Sequence, residues 1–201
     1  MTQTRTTLRV ALAAAASLAL TGCLGLGGDK PPPSLLSLTP AKSAPAGTVA
    51  SGTGATAIMV MEPDTDKRLA VQRVPVQVSA SSVAYLKDAM WVERPARLFR
   101  GLLAETLRAQ AGGRLVLEDD QAAPLIGTRL SGRLLDMGYD AQKMAVVIRF
   151  DAFRTGPQGE VATRRFESVV SGVSAKPDAV GGALNRAAND VAGQVALWMA
   201  E

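Results

Sequence analysis

The stretch from residue 128 to residue 171 constrains the fold more than any other part of the sequence. Three runs alternate apolar with polar or small residues, at Thr128 to Tyr139, Met144 to Phe153 and Val161 to Ser171. Alternation with a period of two is typical of strands that bury one face. The connections between the runs are short and contain glycine, which favours hairpins. The sequence therefore predicts an antiparallel three-strand meander.

Two other segments carry the apolar period of amphipathic helices. The first runs from Pro95 to Gln110, with proline suited to the first turn and Gly112-Gly113 as the stop. The second runs from about residue 178 to 199, at the end of the chain. Three cations lie off the apolar stripe of the first helix and are interpreted as a solvated face: Arg97, Arg100 and Arg108.

Shorter runs supply the remaining strands. Ala57 to Met61 is wholly apolar, as a central buried strand is, and Pro75 indicates that the strand Val71 to Val78 lies near a sheet edge. Leu35 to Pro40 is a short strand candidate, and residues 41–56 are interpreted as a flexible loop. Further short strands are predicted at Ser82–Leu86 and Arg114–Leu117. The predicted fold is a single α/β domain over residues 35–201, with a mixed sheet covered by two amphipathic helices. Whether the second helix lies opposite the first or beside it stays open.

The only cysteine of the chain lies at the end of an apolar run. Arg5 and Arg9 precede this run, which extends from Val10 to Leu20 and is too short to span a bilayer. The sequence Leu20-Thr21-Gly22-Cys23 that follows is typical of a lipobox. We therefore predict that residues 1–22 are a signal peptide, cleaved between Gly22 and Cys23, and that Cys23 carries a diacylglycerol and an N-acyl chain. Residues 23–34, rich in Gly and Pro, are predicted to be a flexible tether.

Several functions are disfavoured by composition. The 201-residue chain has no histidine, so catalytic triads and histidine-based zinc sites cannot form, and the thiol of Cys23 is consumed by acylation. Removing Arg5 and Arg9 with the signal peptide leaves 20 basic residues against 18 acidic ones, which gives no reason to expect a nucleic-acid partner. The acidic cluster Glu118-Asp119-Asp120 is interpreted as a solvated turn rather than a cation site. We expect no metal, no cofactor beyond the acyl chains and no catalysis.

Residues 72–107 resemble the ABC-type transport auxiliary lipoproteins, the PqiC/YmbA-like family. The likeness rests on an apolar strand from Gln72 to Gln77, a segment from Val83 to Pro95 that contains Tyr85-Leu86 and Trp91, and the helix that follows. The lipobox, the opening Leu35–Pro40 strand, the late Arg164–Glu167 segment and the closing helix with Trp198 extend it over nearly the whole mature chain. The resemblance implies a three-layer α/β domain.

The resemblance also implies a role beside an ABC ATPase, a permease and an MCE-domain protein, in moving lipids or hydrophobic compounds between two membranes. The chain lacks a P-loop, in keeping with a part that does not hydrolyse ATP. The expected partners are the membrane, through the lipid anchor, and the MCE-domain protein; a lipid ligand and self-association fit the same role. Leu24 after the lipidated cysteine points to the periplasmic leaflet of the outer membrane. The alternative is a structural or regulatory lipoprotein that contacts the cell-wall synthesis machinery.

Four residues are the candidates for partner contact: Tyr85, Trp91, Arg94 and Arg97. Tryptophan, tyrosine and arginine are the residue types enriched at interface hot spots. For Tyr85 and Trp91 the alternative is that both rings close the core over the first helix. The sequence leaves both readings open.

Overall fold

The computed structural model describes residues 34–118 and 127–201. The predicted signal peptide, Cys23 and nearly all of the tether lie outside these ranges, as do Asp119 and Asp120 of the acidic cluster. The described strands are β1 (Ile58–Val60), β2 (Asp64–Thr65), β3 (Arg73–Ser79), β4 (Ser82–Met90), β5 (Val116–Glu118), β6 (Thr128–Asp140), β7 (Ala145–Thr155) and β8 (Val161–Ser171). The described helices are α1 (Pro95–Gln110) and α2 (Pro177–Met199).

The long strand β6 organises one mixed sheet. Along one edge it pairs in parallel with β1, β2 and β3 in succession, and along the other it pairs antiparallel with β7. β8 continues the sheet beyond β7, β4 lies beyond β3, and β5 lies beyond β1. The predicted antiparallel meander of three strands is therefore confirmed.

A β-bulge in the middle of β6 lies at the point where its parallel partner changes from β2 to β3. The pairing with β7 shifts register between Leu134 and Asp136, directly after the residues of β6 that pair with β2. The guanidinium of Arg68 donates to the carbonyl oxygen of Leu135 and, at 2.6 Å, to Oδ1 of Asp136. Arg68 therefore satisfies a backbone acceptor at the bulge, where the regular ladder is interrupted.

Both helices lie on the same face of the meander, which we call the inner face. The ring of Phe99 in α1 meets Phe150 of β7 edge to face at 5.3 Å, and Phe166 of β8 lies 5.7 Å from Trp198 of α2. Phe150 and Phe166 are register partners on neighbouring strands, and α1 also contacts α2 directly. Of the two arrangements that the sequence left open, the structure has the second helix beside the first.

The opposite face of the meander, the outer face, carries two rows of charged side chains. Their register runs Arg133, Asp151, Arg165 in one row and Asp136, Arg149, Glu167 in the next. Over the meander the described domain therefore has two layers, sheet and helices, where the resemblance implied three. The fold class itself, a mixed α/β domain with an antiparallel meander and two amphipathic helices, is confirmed.

The segment from Leu36 to Ala44, which we call the strap, crosses the two helices. The backbone N–H groups of Thr39 and Ala41 donate to the side-chain oxygens of Asn185 and Asn189 in α2, at 2.8 and 2.6 Å. The N–H of Ala44 donates to Glu105 of α1 at 2.9 Å. The predicted strand at Leu35–Pro40 is thus reduced to a single β-bridge at Leu36, and the first residues of the predicted flexible loop are held by side chains of the helices.

Pro75 lies on β3, one strand in from the edge strand β4 and so near a sheet edge as predicted, but β3 itself pairs on both sides, with β4 and with β6. The proline is accommodated since pairing with β6 begins only at Val76. Gly138 of β6 lies against it, and a Cβ at that residue would come within 2.5 Å of the carbonyl oxygen of Pro75. A glycine on the neighbouring strand therefore makes room for a proline inside the sheet.

Candidate functional site

Arg94 and Arg97 lie together at the start of α1. Arg94 is the N-cap residue, and Pro95 fills the first helical position, where the lack of an N–H costs nothing. Each arginine side chain is half exposed and reaches one carboxylate: Arg94 lies 3.2 Å from Glu62, and Arg97 lies 3.7 Å from Glu93. Exposed pairs of this kind contribute only about 0–1 kcal/mol. Both guanidinium groups can therefore exchange these carboxylates for a partner's at little cost in stability.

The two aromatic candidates lie in different environments. Tyr85 is half-buried in β4, with the guanidinium of Arg73 stacked 4.7 Å above the centre of its ring. Trp91 is only 1% exposed and belongs to the hydrophobic core. Its Nε1 has no hydrogen-bond acceptor among the described residues. Burial of the indole favours the core alternative for Trp91. Its ring packs in the core and is not available to contact a partner.

The strap begins beside Trp91, in the segment that leads to Arg94. Leu36 forms a β-bridge with Trp91, and the N–H of Val92 donates to the carbonyl of Leu36 at 2.9 Å. Leu35 and Val92 are about half exposed. The first described residues therefore pair with the backbone segment that leads directly to Arg94 and Arg97. Two exposed apolar side chains and two arginines share this region, which we call the α1 entrance surface and define as Leu35, Val92, Arg94 and Arg97.

The interpretation of Arg100 and Arg108 as solvated was wrong. The side chain of Arg100 is 7% exposed and donates to Glu118 at 3.1 Å, and Arg108 reaches the other oxygen of Glu118 at the same distance. The spacing along the helix could have predicted the burial of Arg100. It lies four residues after Ala96 and four before Ala104, so the three share one face of the helix, and both alanines are buried. Glu118 of the acidic cluster is therefore part of an ion-pair cluster between α1 and β5, and not part of a solvated turn.

A groove of about 370 Å³ opens between β3, β6 and the β6–β7 turn. It is lined by charged residues of both signs, with Arg68, Asp136 and Arg149 joined by ion pairs of 2.6 and 2.7 Å. At the turn, desolvation opposes ionisation of Asp140, but backbone and side-chain hydrogen bonds from Lys143 outweigh it and lower the pKa of this carboxyl. Each charged residue of the groove therefore has an ion-pair partner within it, since Lys143 also lies 3.2 Å from Asp140.

Two further observations limit the chemistry of the described residues. No group of three or more histidine, cysteine, aspartate or glutamate side chains within 34–118 and 127–201 is arranged to hold a metal ion. Within the same ranges, no helix is both long and apolar enough to cross a membrane. Of the four candidates for partner contact, Arg94 and Arg97 are the exposed ones, with half of each side chain accessible.

The fold and this surface define an α/β domain with an arginine-bearing surface beside the point where its N-terminal segment departs. The family model of the ABC-type transport auxiliary lipoprotein component matches residues 37–196, and the chain belongs to this family. Its role is therefore an accessory one in ABC-type transport, as a lipoprotein of the cell envelope.

Two solved structures share the fold. A crystal structure of an uncharacterized protein aligns with a TM-score of 0.64 at 17% identity, covering 75% of this chain and 95% of its own. A Xanthomonas campestris protein of the DUF330 family aligns with a TM-score of 0.64 at 15% identity, covering 83% of this chain and 94% of its own. No curated protein sequence matches the chain. At these identities the structural similarity concerns the fold alone.

Proposed function

We propose that this chain is an accessory lipoprotein of an MCE/ABC-type system that transports lipids or other hydrophobic compounds. It is anchored in the periplasmic leaflet of the outer membrane and acts by docking a partner, without catalysis. The observation that carries the proposal is the family match over residues 37–196, which includes nearly all of the described domain. Two observations disfavour catalysis and so support a binding role. The charged residues of the groove pair with one another, and the sequence has no histidine to act as a general base.

The anchor in this proposal is the acylated Cys23, and the tether sets how far the domain can stand from the membrane. Residues 24–34 number eleven, and a fully extended chain of this length reaches about 36–40 Å. The strap then fixes the chain to the domain through the bridge of Leu36 with Trp91. The α1 entrance surface would therefore be held within about one tether length of the bilayer.

The contact surface in this proposal is the α1 entrance surface, with Tyr85 on the strand that leads to it. Arg94 and Arg97 are half exposed and held only by single carboxylates. Arginine loses little rotamer freedom for each hydrogen bond that its planar group makes, which suits it to an acidic partner surface. We therefore propose that the MCE-domain partner presents carboxylates to these two guanidinium groups.

Charge reversal tests the contact. The Arg94→Glu/Arg97→Glu variant is expected to lose most co-purification with the MCE-domain protein in detergent extracts, while its circular dichroism stays that of the wild type. The matched control is Lys176→Glu/Arg186→Glu, which makes the same change in net charge at two exposed residues at the start of α2 and within it. This control is expected to retain the partner.

Full retention of the MCE-domain protein by the Arg94→Glu/Arg97→Glu variant would exclude this surface. Failure of the wild type to capture any MCE-domain or permease component would contradict the transport role as a whole. Capture of a cell-wall synthase in its place would favour the alternative function.

A further inference from the structure

Two pockets adjoin at the end of the domain where both helices finish. The first, of about 210 Å³, lies between the ends of α1 and α2 and the start of β1. The second, of about 360 Å³, lies between the end of α2 and the hairpin that joins β7 to β8. Arg114 and Met199 line both pockets, which therefore form one trough. Helix α1 has 16 residues, or about 24 Å, and separates this trough from the α1 entrance surface.

The first pocket is mostly apolar, and we call it the apolar arm. Its aliphatic lining consists of Ile58, Leu107, Ala111, Ala196, Leu197 and Met199. Leu197 is 67% exposed, although the other large apolar side chains of α2 are buried. A hydrocarbon that enters the arm would remove this side chain from water, which favours binding. Because an apolar cavity of about 150 Å³ holds a molecule the size of benzene, the arm has room for part of one acyl chain.

Arg114 lies where the two pockets meet. Its guanidinium donates to the carbonyl of Thr56 at 3.3 and 3.4 Å, and among the residues that the structure describes no carboxylate forms an ion pair with it. Arg154 adds a second guanidinium to the lining of the second pocket. It donates to the carbonyl of Trp198 at 2.8 Å and so offsets the negative end of the α2 dipole, which would otherwise repel an anion. Since arginine is a preferred phosphate ligand, a phosphate beside the apolar arm would meet Arg114 directly.

The second pocket, which we call the polar arm, extends from Arg114 to the hairpin and carries two carboxylates, those of Glu160 and Glu201. Glu201 pairs with Arg164 at 3.6 Å. The carboxylate of Glu160 accepts a hydrogen bond from the N–H of Gln158 at 3.1 Å, and no cation within 34–118 and 127–201 forms an ion pair with it. The trough therefore presents aliphatic side chains first, then a guanidinium, then a carboxylate that can accept a cation.

We propose that this trough binds a single-chain phospholipid with a phosphoethanolamine headgroup. The acyl chain enters the apolar arm, the phosphate meets Arg114, and the ammonium reaches Glu160. In such a lipid the phosphate lies between the chain and the ammonium, which is the order of the matching groups along the trough. A fatty acid would leave Glu160 without a partner, and a headgroup without an ammonium would bring only negative charge to it.

This inference deepens the proposed transport role and rests on it for the use of the bound lipid. The two are tested by different measurements, because the lipid is tested on the isolated lipoprotein and the role on the capture of the MCE-domain protein. Failure to bind the lipid while that protein still co-purifies would remove the ligand and leave the docking role standing.

Photolabelling tests the site. The mature lipoprotein in detergent is titrated with lysophosphatidylethanolamine that carries a diazirine at the end of its acyl chain, and labelled residues are located by mass spectrometry. Label is expected where the helices end, at Leu107, Leu197 or Met199. Arg114→Gln is expected to raise the probe concentration for half-maximal labelling about tenfold, the usual loss for a hydrogen bond to a charged group. The control Arg186→Gln removes an exposed arginine within α2 and should match the wild type.

A second probe tests the headgroup. Lysophosphatidylglycerol with the same diazirine chain keeps the phosphate and lacks the ammonium, so its half-maximal concentration on the wild type should be about threefold higher. Glu160→Gln is expected to bring the two probes to the same value. Equal values for the two probes on the wild type would refute the assignment of the ammonium. Label spread over the whole surface, or an unchanged value in folded Arg114→Gln, would refute the site.

Leu197→Gln tests the apolar arm without disturbing the core, because this side chain is mostly exposed. The half-maximal concentration for the first probe, measured on the label at Leu107 and Met199, is expected to rise about fivefold. Val169→Gln makes the same kind of change at an exposed residue of β8 and should have no effect. An unchanged value in Leu197→Gln would refute the proposal, and this variant decides the site if circular dichroism shows that Arg114→Gln does not fold.

Discussion

Leu36 and Trp91 form a parallel β-bridge in which the N–H of Leu36 donates to the carbonyl of Met90 at 2.7 Å. Trp91 lies four residues before the first residue of α1, and its indole is buried in the core. The chain that leads back toward Cys23 is thus joined to the backbone segment that carries Arg94. In the proposed role this bridge would link the anchor to the contact surface, because tension on the tether would act first on the segment that leads into α1.

The strap is expected to contribute measurably to stability. A fragment of residues 35–201 should fold alone, and its unfolding midpoint should not rise with added zinc or calcium. Removing ten more residues, to leave 45–201, deletes the partly buried Leu36 and Leu38 and the bonds to Asn185 and Asn189. We expect the free energy of unfolding in urea to fall by about 2–4 kcal/mol. Equal stability of the two fragments would show that the strap is passive.

The parts of the fold that local periodicity encodes were predictable from the sequence. Helix α1 begins and ends at the predicted residues, and β8 has the predicted bounds. The succession of β1, β2 and β3 along one edge of β6 was not predictable, because parallel pairing joins residues far apart in sequence and leaves no local pattern. The same holds for the hydrogen bond that the Leu135 carbonyl at the bulge accepts from Arg68, which lies more than sixty residues earlier.

The candidate site was predictable to a similar degree. Arg94 and Arg97 were placed at the start of a helix and lie there, half exposed. The burial of Trp91 was one of two open alternatives, since a tryptophan before a helix suits either core or contact. The partner of Arg100 could not be found from sequence, because Glu118 lies on a strand beyond the helix and only the packing of α1 on β5 brings them together.

Gly132 is expected to tolerate no side chain. A Cβ at this residue of β6 would lie 2.6 Å from the ring of Phe150 and would also meet the carbonyl oxygen of Asp151. We expect Gly132→Ala to lower the free energy of unfolding by about 3 kcal/mol, at the upper end of the usual range for overpacking. The measurement is urea unfolding followed by circular dichroism.

Gly101→Ala is the control for that substitution. Gly101 lies within α1, and a Cβ there has no atom within 4 Å. Because glycine is a poor helix former, the same chemical change should stabilise the protein by about 0.5–1 kcal/mol. Losses of similar size in both variants would show that the strand–strand contact at Gly132 is not the cause.

The ion pair between Asp151 and Arg165 is expected to show in a titration. The hydrogen bond from Arg165 holds the pKa of the Asp151 carboxyl below its ordinary value, against a smaller effect of desolvation. Because the folded-state pKa is the lower one, the pair stabilises the fold above the unfolded-state pKa of about 3.9, and this stability is lost as pH falls through the folded value. Carboxyl NMR should find Asp151 titrating below a typical aspartate.

Arg165→Gln is expected to move the midpoint of Asp151 upward, toward the ordinary aspartate value. The control Arg129→Gln changes an exposed arginine of β6 and should leave the midpoint where it is. A midpoint of Asp151 that is the same in wild type and in Arg165→Gln would contradict the assigned cause.

Cys23→Ser is expected to abolish acylation. Each buried methylene contributes about 0.8 kcal/mol to membrane partition, so several acyl chains anchor a protein far more firmly than a single one. Labelling with radioactive palmitate should mark the wild type and leave the variant unlabelled. Label that persists in Cys23→Ser would disprove the predicted lipobox.

Leu24→Asp tests which membrane holds the anchor. In enteric bacteria an aspartate directly after the lipidated cysteine favours retention in the inner membrane, so the variant should keep its palmitate label and move to the inner-membrane fraction of a sucrose gradient. Leu24→Ala is the matched control and should fractionate with the outer membrane, as the wild type should. If the wild type already sediments with the inner membrane, the proposed location is incorrect, and the domain would meet its MCE-domain partner from the opposite side of the periplasm.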